Sequence, residues 1–198
     1  MSVFLHIPQL TCMQPFVRLA PMKPRLILSV TFMVCLLPSC IRMARIFTYG
    51  TLKKGQPNYP VMLNSTNGTA EFLATAFTTE KYPLVIAGKY NIPFLLNIPG
   101  QGHRVYGEIY EVDDKMLEFL DNFESVPTMY QRGLVKLEVK EWVGQVEGEE
   151  TPSPGNITEA FVYSTTTYKP EWASLPSYES YDAYGDHGLK YVTRDKRN

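Results

Sequence analysis

From Arg45 to Ser164 the chain reads as short runs of alternating apolar and polar residues, cut at close intervals by glycine, proline and asparagine. Only one stretch in that region carries a helical period. The pattern predicts strands over Arg45–Tyr49, Thr69–Phe77, Leu84–Ala87, Phe94–Ile98, Val105–Val112, Gly133–Trp142 and Ala160–Ser164. Lys53 to Gly68 reads as loop or short helix. The single helix is expected over Asp113–Phe123, with Asp113 as N-cap. So many strands and one helix point to an α+β domain, a curled mixed sheet or small β-barrel with one principal helix. The acidic stretch 144–156, with Pro152 and Pro154, is expected to be an exposed excursion. From Thr165 the chain is rich in aromatics and proline, which predicts an irregular tail with enough apolar area to wrap the domain.

The chain divides near Met43. Residues 1–42 hold four bases, no acid and all three cysteines, leaving fifteen bases against twenty acids in the remainder. The domain over 43–198 therefore has no disulfide, thiol nucleophile or cysteine-type zinc site, and its composition suits the cytoplasm. Within 1–42, Lys23 and Arg25 precede an apolar run, Leu26–Leu37, that Pro38 interrupts. It is too short to span a bilayer, which takes about 20 apolar residues. Its length does suit a signal-peptide core, which would direct the chain to the secretory pathway. Poor cleavage chemistry around Pro38–Cys40, and Met43-Ala44 reading as a second start, favour a dispensable, disordered upstream extension. A net charge of −1 gives the chain no attraction for nucleic acid or an anionic membrane.

Several chemistries can be set aside. Gly50-Thr51-Leu52-Lys53-Lys54-Gly55 has the glycine spacing of a phosphate loop, yet Gln56 and Pro57 stand where lysine and a hydroxyl are needed. Gly100-Gln101-Gly102 reads as a turn. His103 and His187 are the domain's only histidines and have no carboxylate at ligand spacing, so neither metal nor cofactor is expected. No G-x-S-x-G elbow occurs, and His187 has the alternative of capping the tail through a hydrogen bond.

Two features remain. On a helical wheel Met116, Leu117, Phe119, Leu120 and Phe123 form one apolar face, with Glu118, Asp121 and Asn122 off it. Glu124 projects between Leu117 and Leu120, so a carboxyl falls on the core side of the helix end. Burial there would raise its pKa towards useful base strength, unless the helix has already frayed and Glu124 points to water. The second feature is the turn Tyr49-Gly50-Thr51-Leu52, where a strand runs into a glycine. Backbone can approach a ligand closely there, and successive N–H groups can hold an anion, although a plain tight turn explains the spacing as well.

The stretch Tyr49–Asn58 resembles the opening signature of the γ-glutamyl cyclotransferase superfamily, and more closely its AIG2-like branch. The likeness continues through Tyr82–Gly88, Asn91–Pro93, Val105–Tyr110, Leu120–Ser125, Tyr130–Arg132, Pro170–Trp172, Ser180–Asp182 and His187–Leu189. The resemblance implies a small mixed β-barrel with Glu124 as the catalytic residue and Tyr49, Gly50, Thr51 and Leu52 as the substrate-binding turn. It implies a small-molecule partner, a γ-glutamyl amine such as ε-(γ-glutamyl)-lysine, from which 5-oxoproline and a free amine are released. The alternatives are γ-glutamyl amino acids or glutathione as substrates, or a binding module without catalysis. A monomer is expected, and Tyr82, Phe94 and Tyr130 are candidates to wall the site.

Overall fold

The computed structural model describes residues 43–146, 148 and 150–197. The N-terminal extension, with its upstream and targeting readings, lies outside the described residues. Among the described residues, seven strands and two helices run in the order β1 Ala44–Thr48, α1 Tyr59–Leu63, β2 Ala70–Tyr82, β3 Leu84–Ala87, β4 Ile92–Leu95, β5 His103–Val112, α2 Asp114–Phe123, β6 Gln131–Trp142 and β7 Ile157–Ser164. Short 3-10 turns at Pro170–Ser174 and Arg194–Lys196 punctuate the tail. None of the described helices is long and apolar enough to cross a membrane.

Five strands close a barrel in the order β1-β5-β2-β6-β7. β7 returns to β1 in parallel, pairing Phe161 with Ile46 and Val162 with Phe47, while the other barrel pairs are antiparallel. This is the mixed barrel with one principal helix that the strand pattern predicts. β3 and β4 form a separate hairpin, Leu84 opposite Leu95 and Ala87 opposite Ile92.

The alternation of β1 explains its central place. Successive side chains leave a strand on opposite faces, and both faces here are covered. Phe47 enters the barrel interior with Leu73, Val105, Ile109 and Leu137, while Ile46 joins an outer layer with Val85, Leu96, Val112, Met116 and Leu120. Gly107 on β5 makes the inner packing possible. A Cβ at that position would lie 2.5 Å from Phe47 Cζ and from the Thr48 carbonyl oxygen.

Strand boundaries differ from the sequence reading in informative ways. β2 runs on to Tyr82, although Thr78–Lys81 breaks the alternation, because a register shift between Phe77 and Lys81 carries the strand over the gap. Buried Thr78 fills it: its hydroxyl donates to the Glu80 carbonyl at 2.6 Å and accepts from the Val105 N–H at 2.9 Å. β4 begins two residues early and includes Pro93, which a two-stranded hairpin tolerates because an edge position needs no N–H. β7 begins at Ile157 rather than Ala160, its first residues being largely exposed. The 144–156 stretch is mostly exposed, but Val146 packs against the barrel core. The tail does wrap the domain, burying Tyr181 in the inner core and packing Trp172 on Phe94 with ring centroids 4.6 Å apart.

Candidate active site

β1 delivers the chain to the Tyr49–Leu52 turn, and packing fixes the turn from every side. The Tyr49 hydroxyl donates to the Tyr163 carbonyl at 2.7 Å and accepts from the Leu95 N–H at 3.3 Å, tying β7 to β4. Gly50 lies against the hairpin; a Cβ there would stand 3.0 Å from Pro93 Cγ. The turn closes through Lys53 N–H to the Gly50 carbonyl and Asn58 N–H to the Thr51 carbonyl. Asn58 Nδ2 also donates to the Thr51 hydroxyl at 2.9 Å. Lys53 is buried, with its ammonium donating to Ser180 Oγ at 3.2 Å and the Tyr181 carbonyl at 2.9 Å, so the turn is bolted to the tail. Burial pushes the Lys53 pKa down, against the opposing pull of Glu108 and Asp182. A phosphate-loop lysine would have to reach outwards, and this one does not. The Gly50 and Thr51 carbonyls and the Tyr49 and Thr51 side chains are thus committed to structure. Among the described residues, the N–H groups of Gly50, Thr51 and Leu52 donate to no backbone acceptor.

Glu124 closes helix α2. At the start of the helix, Asp113 Oδ1 accepts from the Met116 N–H at 2.7 Å and Oδ2 from the Thr69 N–H at 3.0 Å, which sets the helical register. At its end Ser125 turns into the left-handed region at φ 56°. Ser125 N–H then bonds the Asn122 carbonyl and Val126 N–H the Asp121 carbonyl. This paired arrangement usually employs glycine and halts a helix abruptly. The helix therefore persists far enough to hold Glu124 on the core side instead of fraying. Burial raises the Glu124 pKa to about 7, partly offset by the charges of Arg194 and Arg197. The negative pole of the helix acts in the same direction as burial. Among the described residues no protein hydrogen bond reaches the carboxyl, which leaves it open to a ligand.

One pocket joins the two features. Its lining includes all of Tyr49–Leu52 together with Glu124. Pro93, Phe123, Met129 and Tyr130 complete much of the wall. Tyr130 faces the pocket and donates its hydroxyl to the Pro93 carbonyl at 3.0 Å. The other two wall candidates do not line it. Phe94 stands behind Tyr130, stacked at 5.4 Å, and Tyr82 ends β2 opposite His103. His187 does fasten the tail, with Nε2 2.7 Å from the Asp182 carbonyl and Nδ1 accepting from the Leu189 N–H at 3.0 Å.

Sequence reasoning missed several residues that line the pocket or brace a residue that does. Asp121 had the look of a surface residue, yet it accepts from the Tyr163 hydroxyl at 2.8 Å and pairs with Arg132 at 2.9 Å, bracing one wall. Tyr191, Arg194 and Arg197 also reach the pocket from the end of the tail. The aromatic content of the tail hinted at packing there, but Thr193–Arg197 has the composition of a solvated terminus. Nothing in its pattern signals a pocket.

The family model described as γ-glutamyl cyclotransferase, AIG2-like, matches residues 46–183. Both Glu124 and the Tyr49–Leu52 turn fall inside that stretch; Tyr191, Arg194 and Arg197 lie beyond it. The chain is 58% identical over 150 residues to γ-glutamylaminecyclotransferase B of Danio rerio, covering 76% of this chain and 74% of that one. It is 55% identical over 155 residues to γ-glutamylaminecyclotransferase of Mus musculus, covering 78% of this chain and 100% of that one. A crystal structure of an AIG2-like protein from Mus musculus superposes with a TM-score of 0.71 at 53% identity, covering 79% of this chain and 99% of that chain.

Proposed function

The chain belongs to the AIG2-like γ-glutamyl cyclotransferase family, and from that membership we propose that it is a γ-glutamylamine cyclotransferase with Glu124 as its general acid–base. The observation that carries the assignment is a half-buried carboxyl whose pKa burial raises to about 7, sharing one pocket with a rigid turn whose N–H groups, among the described residues, donate to no backbone acceptor.

In this reaction the substrate's own α-nitrogen attacks its own γ-carbonyl carbon. A C–N bond closes the five-membered ring, the amide C–N bond to the departing amine breaks, and 5-oxoproline and the amine result. The first requirement is to hold a flexible glutamyl chain folded upon itself. Well-oriented intramolecular reactions gain about 7–11 kcal/mol over loose encounter. The N–H groups of the Gly50–Leu52 segment would grip the α-carboxylate or the developing oxyanion, and Tyr49 anchors the segment that presents them. The second requirement is proton traffic. The α-nitrogen starts as an ammonium and must lose a proton before it can attack, while the leaving nitrogen must gain one before it can depart. A carboxyl near pKa 7 can accept the first and donate the second at neutral pH, a contribution typically of about 10²–10⁴-fold.

Substrates of this kind include ε-(γ-glutamyl)-lysine, the isopeptide left when transglutaminase cross-links are degraded, and the chain would serve that disposal. The cysteine-free domain suits the reducing cytoplasm. The chain is proposed to act as a monomer. The test is to incubate the full chain with ε-(γ-glutamyl)-lysine, γ-glutamyl-alanine and glutathione and to measure 5-oxoproline. Equimolar lysine and 5-oxoproline from the isopeptide, with much slower release from the other two, is expected. Release from glutathione or γ-glutamyl-alanine alone would overturn the amine-releasing assignment.

A further inference from the structure

Resting on the cyclotransferase reading above, we propose that Arg194 and Arg197 recognise a carboxylate carried by the departing amine, and so decide which γ-glutamyl amines the pocket prefers. Both line the pocket that holds Glu124. Both are fixed in place by neutral partners. Arg194 Nη2 donates to the Phe123 carbonyl at 2.7 Å, with the guanidinium 3.8 Å from the Phe123 ring centroid. Arg197 Nε donates to the Val192 carbonyl at 3.0 Å and Nη2 to the Tyr191 hydroxyl at 2.8 Å.

A guanidinium has five N–H donors and no acceptor. One donor of Arg194 and two of Arg197 are used by these bonds, and among the described residues neither arginine forms an ion pair with a carboxylate. Part of the role of Arg194 is structural, because it satisfies a carbonyl at the negative end of α2. Its unused donors remain. Two ordered cations that, among the described residues, form no ion pair and act on Glu124 only through space, beside an open pocket, make a site for an anionic group, and guanidinium geometry suits carboxylate best.

Position indicates which carboxylate. The glutamyl part of the substrate must lie between Glu124 and the turn, whose Tyr49 and Leu52 are buried. Arg194 is exposed and Arg197 half-buried, so the pair stands on the outer side, where the departing amine extends. In ε-(γ-glutamyl)-lysine that amine ends in a carboxylate six carbons from the reacting nitrogen.

A matched pair of substrates isolates that group. γ-Glutamyl-6-aminohexanoate is the isopeptide without the lysine α-amine, and γ-glutamyl-hexylamine is the same chain without the carboxylate. The wild-type chain should favour the aminohexanoate compound by about tenfold or more in kcat/KM, mainly through KM. Arg194→Gln with Arg197→Gln should reduce that ratio to near one, and the two lysine replacements should keep part of it. The preference should also shrink in high salt. An equal fall for both substrates in the glutamine variant would show that the pair serves the glutamyl α-carboxylate or the fold, and would overturn the inference. So would an unchanged ratio. Release of 5-oxoproline from ε-(γ-glutamyl)-lysine but from neither compound would also overturn this inference, and release from none of the three would overturn the amine-releasing reading with it.

Discussion

Glu124 is held where its charge is costly, and that cost is testable apart from catalysis. Its pKa in the folded chain is about 7 against an ordinary 4.5, because burial penalises the carboxylate. The native state therefore binds the proton more tightly than the unfolded state. The resulting stabilisation is complete below pH 4.5 and is lost as pH rises through 7. Glu124→Gln cannot ionise and escapes the loss. Its stability relative to the wild type should grow between pH 5 and pH 8, by at most about 3 kcal/mol, as read from urea unfolding at each pH. A difference that stays flat with pH would mean that the carboxyl is solvated. The same ionisation should appear in catalysis as an acidic limb of kcat/KM with its midpoint near pH 7, since only the carboxylate can take the first proton.

Among the elements, α2 was legible almost to the residue. Asp113 followed by an apolar face at helical spacing forecasts both the cap and the core side of Glu124, and the structure has both. What the wheel left open was whether the helix lasts to Glu124. That depends on Ser125 adopting a left-handed turn, which serine does not advertise as glycine would. The short strands were legible from alternation, but their ends were not. Thr78 and Pro93 sustain β2 and β4 through tertiary contacts that no local pattern carries. Asp113→Ala removes the acceptor for the Met116 and Thr69 N–H groups and should cost about 1–2 kcal/mol. That corresponds to a fall in Tm of about 3–6 °C. A scanning-calorimetry shift below 1 °C would contradict the cap's part in holding the helix.

At the scale of the whole molecule, the barrel serves to bring distant segments to one pocket. The turn after β1, the end of α2, the β3–β4 hairpin and the end of the tail all contribute lining residues. The turn and the glutamate stood out as candidates because each lies in a patterned segment, although pattern alone left a plain tight turn and a frayed helix end open. The tail arginines could not, because their place is fixed by long-range bonds such as Val192 N–H to the Tyr90 carbonyl. The central claim is that Glu124 moves the protons in a pocket that otherwise only folds the substrate. The most direct measurement is 5-oxoproline release from saturating ε-(γ-glutamyl)-lysine by Glu124→Gln beside the wild type, with folding of the variant checked by circular dichroism. A folded variant whose kcat is lower by about 10²-fold or more is the predicted result. A folded variant that turns over at the wild-type rate would contradict the account.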